Sequence, residues 1–388
     1  MMKKTNVVNI KDKKLKIAMI GHKRIPSREG GVEIVVEEIS TRLVNLGHDV
    51  TAYNRKGHHV SGKEFDDNQK VNNLENYKGI KIVAVPTIEK RGLAAVTSSL
   101  FGTLKAILGK YDCIHYHAEG PCAMLWIPHF LGIRTVATIH GLDWQRAKWG
   151  GFATKYLKFG EKVAAKYADE VIVLSDNVKK YFKDTYNRET RFISNGISEP
   201  ILKEVDLIKE KWNLEKDGYI LYLGRIVPEK GIQYLIDAFK EVKTDKKLVI
   251  AGGASDTDDF MKEIKEKAAG DERIIFTGFV QGQTLQELYS NSYIYVLPSD
   301  LEGMPISLLE AMSYGNCCVV SDIPECSEVV EDKGVIFEKS NVSSLKQELE
   351  NLCMNPKKTQ GYKDSAKDFI LKRYNWDKIV EETVNSYR

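Results

Sequence analysis

The chain has 388 residues, 43% of them apolar and 29% charged, with a formal net charge of +3. That length exceeds one ordinary hydrophobic core, so two globular domains are expected. No apolar run reaches the roughly 20 residues a helix needs to cross a bilayer, and the six cysteines form no CxxC pair, which together exclude a spanning segment and argue for reduced thiols in a cytoplasmic protein.

Residues 1–14 are polar and lysine-rich and lack the apolar centre of a signal peptide, so they read as a loosely held tail. Leu15–Ile20 is a first strand, and a loop through Gly30 and Gly31 leads into a helix from about Val32 to Leu46. Val50–Tyr53 completes a βαβ unit of a doubly wound sheet. The glycine pair comes about ten residues after the strand, too late for GxGxxG, which argues against a dinucleotide site. Two glycines before a helix still let the backbone approach a ligand closely.

Strands follow at Ile80–Val85, Cys113–His117 and Arg134–Ile139, with a helix from about Leu93 to Leu108. His115 and His117 share one face of a strand end, but no third metal ligand stands near them in sequence. His140-Gly141 ends the next strand, at the carboxyl edge where open α/β sheets bind ligands. Trp144–Lys166 then interleaves Arg146, Lys148, Lys155, Lys158, Lys162 and Lys166 with Trp144, Trp149, Phe152, Tyr156 and Phe159. Such a run suits nucleic acid, a membrane surface, or a solvated helix with a buried aromatic stripe. The charge is lopsided: residues 1–197 hold 32 Lys and Arg against 20 Asp and Glu, and the remainder 25 against 34. A balance of +12 before −9 points the first half at an anionic partner.

After Ser198-Glu199-Pro200 the pattern restarts with strands at Tyr219–Leu223, Leu248–Ala251, Ile274–Phe276, a run opening at Tyr293, and Cys317–Val320. Arg225 and Lys230 stand on the first strand-to-helix loop, where a fork and a point charge can clamp phosphate oxygens. Asp256-Thr257-Asp258 resembles a metal-holding DxD triplet, although acidic N-capping explains it equally. The stretch Tyr293–Gly315 organises this half. It reads as a buried strand to Pro298, a polar loop, Pro305 as the first residue of a helix, and a stop near Gly315. The helix start offers free N–H groups and a positive dipole end to an anion. Glu310, about five residues in, lies roughly 7.5 Å from that start, near the span from a diphosphate to its ribose. Glu302 would face the group on the distal phosphate.

In order, Gly30-Gly31-Val32-Glu33, His140-Gly141, Asn195-Gly196, Gly224-Arg225 with Lys230-Gly231, Thr277-Gly278 and Glu302-x7-Glu310 resemble the retaining glycosyltransferases of family 4, over residues 15 to 388. The resemblance implies an α/β GT-B architecture of two Rossmann-like domains facing across a cleft. It divides the chain into 15–197 for the acceptor and 198–373 for the nucleotide sugar, with a last helix at 374–388 packing back on the first domain. It also implies roles. Arg225 and Lys230 would hold the donor diphosphate with backbone amides at Gly30-Gly31 and at Ser307, Leu308 and Leu309. Glu310 would take ribose, while Glu302 and His140 would take hydroxyls of the sugar. Asn195 would also line the donor site, and Gly278-Phe279 would flank the base.

Transfer would need neither metal nor cofactor. The stretches Ile25–Glu33 and Gly141–Trp149 look closer to rhamnosyltransferases of bacterial surface-polysaccharide assembly, implying dTDP-rhamnose or a UDP-sugar as donor and a lipid-linked or saccharide acceptor. An anionic membrane, met peripherally at its inner face, is then the expected partner of the basic half, through Lys90-Arg91 and through Arg146, Lys148, Lys155, Lys158 and Lys162, rather than nucleic acid. A GT-B-fold epimerase of UDP-sugars and a non-catalytic polysaccharide-binding protein are the alternatives.

Overall fold

The structure, a computed structural model, describes residues 13–56, 74–88, 90, 92–146, 150–253 and 258–388. Most of the tail, Arg91, Lys148, Trp149, Asp256 and the side chain of Asp258 fall outside the described residues. Two doubly wound sheets form, each around central strands whose continuous apolar runs are buried on both faces, as parallel sheets require. The first contains β1 (Lys16–Ile20), β2 (Asp49–Arg55), β3 (Asn76–Tyr77), β4 (Ile80–Val85), β5 (Cys113–His117), β6 (Arg134–Ile139), β7 (Glu170–Val173) and β8 (Arg191–Phe192). Their spatial order is β3-β4-β2-β1-β5-β6-β7-β8, parallel except for the β3/β4 pair. Ile17 sits between Val50 and Cys113 in register, and its neighbours Ala18 and Met19 are equally inaccessible.

The second sheet contains β9 (Tyr219–Leu223), β10 (Lys247–Ala251), β11 (Ile274–Gly278), β12 (Ile294–Leu297), β13 (Cys317–Ser321) and β14 (Val335–Phe337), in the order β11-β10-β9-β12-β13-β14. All its pairs are parallel. Strand order reverses between β1 and β5 in one sheet and between β9 and β12 in the other. At such switch points consecutive loops part to opposite faces and leave a crevice at the carboxyl ends of the strands.

The chain crosses between the sheets twice. Outbound it passes Ile197, and it returns through Tyr374 and Asn375; the Ile197 amide donates to the Tyr374 carbonyl at 2.7 Å. Asn375 caps the returning helix, Trp376–Ser386, by accepting from the amides of Asp377 and Lys378. That helix lies on the helix Gly31–Asn45 of the first sheet. Arg42 stacks 5.5 Å from the centre of the Trp376 ring and donates to Ser198 Oγ, Arg134 donates to the Ser386 carbonyl, and Tyr387 hydrogen-bonds His115 at 2.9 Å.

One feature of the first sheet opposes stability. Glu119, just past β5, is wholly buried, and neither carboxylate oxygen has a protein partner within hydrogen-bonding reach. Burial, then the charge of Asp143 and the neighbouring Glu161 carboxylate, push its pKa up to about 11. Glu161 is itself held by Trp144 Nε1, Tyr181 and Tyr186. Between the ordinary carboxylate range and about 11 the unfolded chain has released a proton that the folded chain keeps, so this group lowers stability as pH rises. The slope is at most about 1.4 kcal/mol per pH unit. Glu119→Gln, a permanently neutral mimic, is expected to be more stable than the parent, with an advantage that widens between pH 5 and pH 8. Urea unfolding at both pH values measures it, and parallel pH profiles would mean that Glu119 is ionised in the native state.

Candidate active site

The two crevices face each other. Arg225 follows β9 after Gly224, and Lys230 ends a single 3-10 turn, Pro228–Lys230, before Gly231. Gly231 has φ +68°, and a Cβ there would lie 1.9 Å from the Pro298 carbonyl, so only glycine lets this loop lie against the end of β12. That contact brings Lys230 to Glu302, Nζ to Oε1 at 2.5 Å. Ser299 Oγ donates to the same oxygen at 2.7 Å. The side chains of Lys230 and Glu302 are only 14% and 7% exposed, so neither is a surface charge. Arg225 differs: among the described residues no acceptor lies within hydrogen-bonding reach of its half-buried guanidinium.

The helix after β12 runs Ile306–Ser313 and buries Leu308, Leu309, Ala311 and Met312. Pro305 stands one place earlier than the sequence suggested, as the extended N-cap rather than the first helical residue. Its carbonyl accepts from the amides of both Leu308 and Leu309, at 3.1 and 3.3 Å. Of the three amides expected to meet phosphate, only that of Ser307 is left without an acceptor among the described residues, and Ile306 joins it. Gly31 closes over this point; a Cβ on it would lie 3.7 Å from Ile306 Cγ1.

Glu310 is not open in this structure. Its Oε2 accepts from Tyr289 at 3.2 Å, and its Oε1 pairs with Arg28 from the loop that follows β1. Tyr289 is held in turn by stacking on Tyr314, 5.2 Å between ring centres. Sequence reasoning missed Arg28, although it stands two places before Gly30; no local pattern states which element its side chain will meet.

His140 lies at the end of β6, where its backbone touches the other domain. A Cβ on Gly303 would sit 1.6 Å from the His140 carbonyl oxygen. His140 Nε2 and His117 Nδ1 are 3.1 Å apart, and the His117 ring lies 4.1 Å from that of His115. Burial lowers the His140 pKa to about 4 against the opposing pull of Asp143 and Glu33, so the imidazole is neutral at pH 7 and can hydrogen-bond a hydroxyl. His115 is committed to Thr138 and Tyr387 rather than to a metal, and among the described residues no group of three or more metal-ligating side chains exists.

Asn195, expected to line the donor site, is 3% exposed; its side-chain amide donates to the Met304 carbonyl and its backbone N–H to Met304 Sδ. It buttresses the loop that carries Glu302. Gly278 ends β11 with φ +71°, Phe279 follows it, and β11 lies two strands from β9, about 9.5 Å away.

The basic run divides. Arg146 pairs with Asp143, Nε to Oδ1 at 3.0 Å, and lies within electrostatic reach of Arg225, Glu229 and Glu302. It therefore belongs to the cleft, not to an outer basic face as its sequence neighbourhood suggested, because the 3-10 turn Asp143–Gln145 folds it back. Trp144 also turns inward, its indole N–H on Glu161 and its ring beneath Lys158. Lys155, Lys158 and Lys162 stay exposed on the helix Gly151–Tyr167, with Phe152 85% and Phe159 51% exposed beside them. None of the described helices is long and apolar enough to cross a membrane.

Known proteins agree with this plan. Residues 29–199 match the profile described as Glycosyltransferase Family 4, and residues 204–369 that described as Glycosyl transferases group 1. An uncharacterized glycosyltransferase of Methanocaldococcus jannaschii is 27% identical over 96% of this chain and 98% of its own. An O-antigen chain mannosyltransferase of Escherichia coli is 27% identical over 47% of this chain and 48% of its own. Among solved structures, Anabaena HepE in complex with UDP and glucose superposes with a TM-score of 0.77 at 17% identity, over 96% of this chain and 99% of that one. The two Rossmann-like sheets with facing switch points give the chain the GT-B fold, and it carries a glycosyltransferase family 4 domain followed by a glycosyl transferases group 1 domain.

Proposed function

We propose that the protein transfers a hexose, with retention and without a metal, from a nucleoside-diphosphate donor to a lipid-linked or saccharide acceptor in the assembly of a cell-surface polysaccharide. The observation that carries the reading is the convergence of Arg225, Lys230 and the free amides of Ile306 and Ser307 on one switch point, between Glu302 and Glu310. A diphosphate there would displace Lys230 from Glu302, and a ribose would displace Arg28 from Glu310. The bond from the anomeric carbon to the leaving phosphate oxygen breaks, and the acceptor oxygen bonds to the same face. The acceptor proton passes to that phosphate oxygen, whose developing charge Arg225, Lys230 and the helix end stabilise. Neutral His140 and Glu302 hold sugar hydroxyls. The UDP-bound neighbour supports a UDP-sugar and the local sequence resemblance supports dTDP-rhamnose; the O-antigen relative supports the surface-polysaccharide setting.

The acceptor's lipid would be met at an anionic bilayer, on the inner face of the plasma membrane. Beside Lys155, Lys158 and Lys162, three adjoining helices expose Phe101, Leu104, Trp126, Phe130, Phe152 and Phe159. Aromatic side chains with lysines around them suit a headgroup region.

Arg225→Ala and Lys230→Ala are each expected to weaken UDP or dTDP binding by about 10- to 150-fold, the equivalent of roughly 1.5–3 kcal/mol for a charge-assisted contact. Calorimetry decides, and unchanged affinity in both removes the phosphate assignment. Glu310→Gln is expected to impair binding of the free nucleotide, whereas Glu302→Gln spares it and lowers turnover; equal loss of nucleotide affinity in both would contradict the placing of ribose and sugar. Co-sedimentation is expected with anionic vesicles and not with neutral ones, and to fall with salt, since each basic residue near the surface contributes about 1 kcal/mol. Equal recovery with both lipids, or no loss when Lys155, Lys158 and Lys162 become Glu, would rule out the docking face.

A further inference from the structure

Two guanidinium groups lie within electrostatic reach of each other at the cleft, each with donor hydrogens to spare. Arg225, from the second domain, has no hydrogen-bond acceptor among the described residues. Arg146, from the first, spends its Nε–H on Asp143 and has no other hydrogen-bond acceptor among the described residues, which leaves the four hydrogens of its Nη fork uncommitted there. The carboxyl groups in reach of Arg146 are Asp143, Glu229, Glu302 and Glu119; Glu302 is already paired with Lys230, and burial keeps Glu119 protonated. The side chains of Arg146 and Asp143 are 25% and 22% exposed, so water screens them only in part. Like charges converging in a partly desolvated crevice repel, unless an anion with several acceptor oxygens completes the set.

We propose that Arg146 and Arg225 close from opposite domains on a single diphosphate, with Asp143 as the counter-ion that Arg146 exchanges for it. The inference rests on the transferase reading given above and adds a ligand contact from the first domain. Its position supports this: Arg146 follows His140-Gly141, the stretch whose backbone touches Gly303 in the loop of Glu302. A diphosphate is also the ligand for which the fork of arginine, rather than the point charge of lysine, is suited. Such a group can come from the nucleotide donor or from an isoprenyl-diphosphate acceptor.

The test is calorimetry on the full chain with UDP, dTDP and farnesyl diphosphate as separate probes. Arg146→Gln is expected to weaken at least one of them tenfold or more. Arg146→Lys, which keeps charge without the fork, should recover only part of the loss. Asp143→Asn should bind the same probe more tightly, because the competing carboxylate is gone. A loss confined to the nucleotides assigns the clamp to the donor, and one confined to farnesyl diphosphate assigns it to the acceptor. Unchanged affinity of Arg146→Gln for all three, or weaker binding by Asp143→Asn, overturns the clamp. Arg225→Ala runs beside them: if it loses affinity while Arg146→Gln does not, the clamp alone fails. If the parent protein binds none of the three, the transferase reading fails with it.

Discussion

The cleft depends on one close approach, that of Gly303 to the carbonyl of His140. No side chain fits between these backbones; a Cβ on Gly303 would fall well inside the carbonyl oxygen's van der Waals radius. Because the two domains touch there through main chain alone, the flanking residues are fixed with the precision of backbone rather than of rotamers. His140 lies on one side of the contact and Glu302 on the other. The neighbouring loop, seated by Gly231 on the end of β12, delivers Lys230 to Glu302. A larger residue at either glycine would separate groups that the chemistry needs within one hydrogen bond of each other.

The site's own side chains are nearly balanced in charge. Lys230 rests on Glu302, Arg28 on Glu310 and Arg146 on Asp143. Buried ion pairs gain little net free energy, because desolvation consumes most of the attraction, but an unpaired buried charge is costly. A ligand that brings both an anion and hydroxyl groups can replace each partner without leaving any charge bare. An isolated phosphate, by contrast, would release Lys230 and leave Glu302 with Ser299 alone.

Much of this was legible in the sequence, for identifiable reasons. Both doubly wound sheets announce themselves as short apolar runs separated by helical periods, and the long strands agree with that reading within two residues. What failed was short or relational. β3, β8 and β14 span two or three residues each and owe their existence to a neighbouring edge, not to their own pattern. Pro305 was misplaced by one position because proline suits both N1 and the extended residue before a helix. Arg28 was missed because its partner Glu310 becomes a neighbour only when the two domains close, and Asn195 meets Met304 across the same boundary, whereas Arg146 finds Asp143 within a single short turn. Trp144 and Phe159 belong to one basic aromatic run, yet one turns inward onto Glu161 and the other faces water. Periodicity inside a run cannot say where a helix begins, and the 3-10 turn at Asp143 shifts the phase.

The paired crossings at Ile197 and Tyr374 make the second sheet an insertion in the first rather than a sequel to it. Both ends of that insertion leave from one spot, a single hydrogen bond apart. A cassette with coincident ends can be exchanged between related chains without rerouting the host, since neither splice point has to move. Inheritance can therefore reassort the two halves as units, and the returning helix, held through Tyr387 on His115, serves as the clasp that any incoming cassette must still reach.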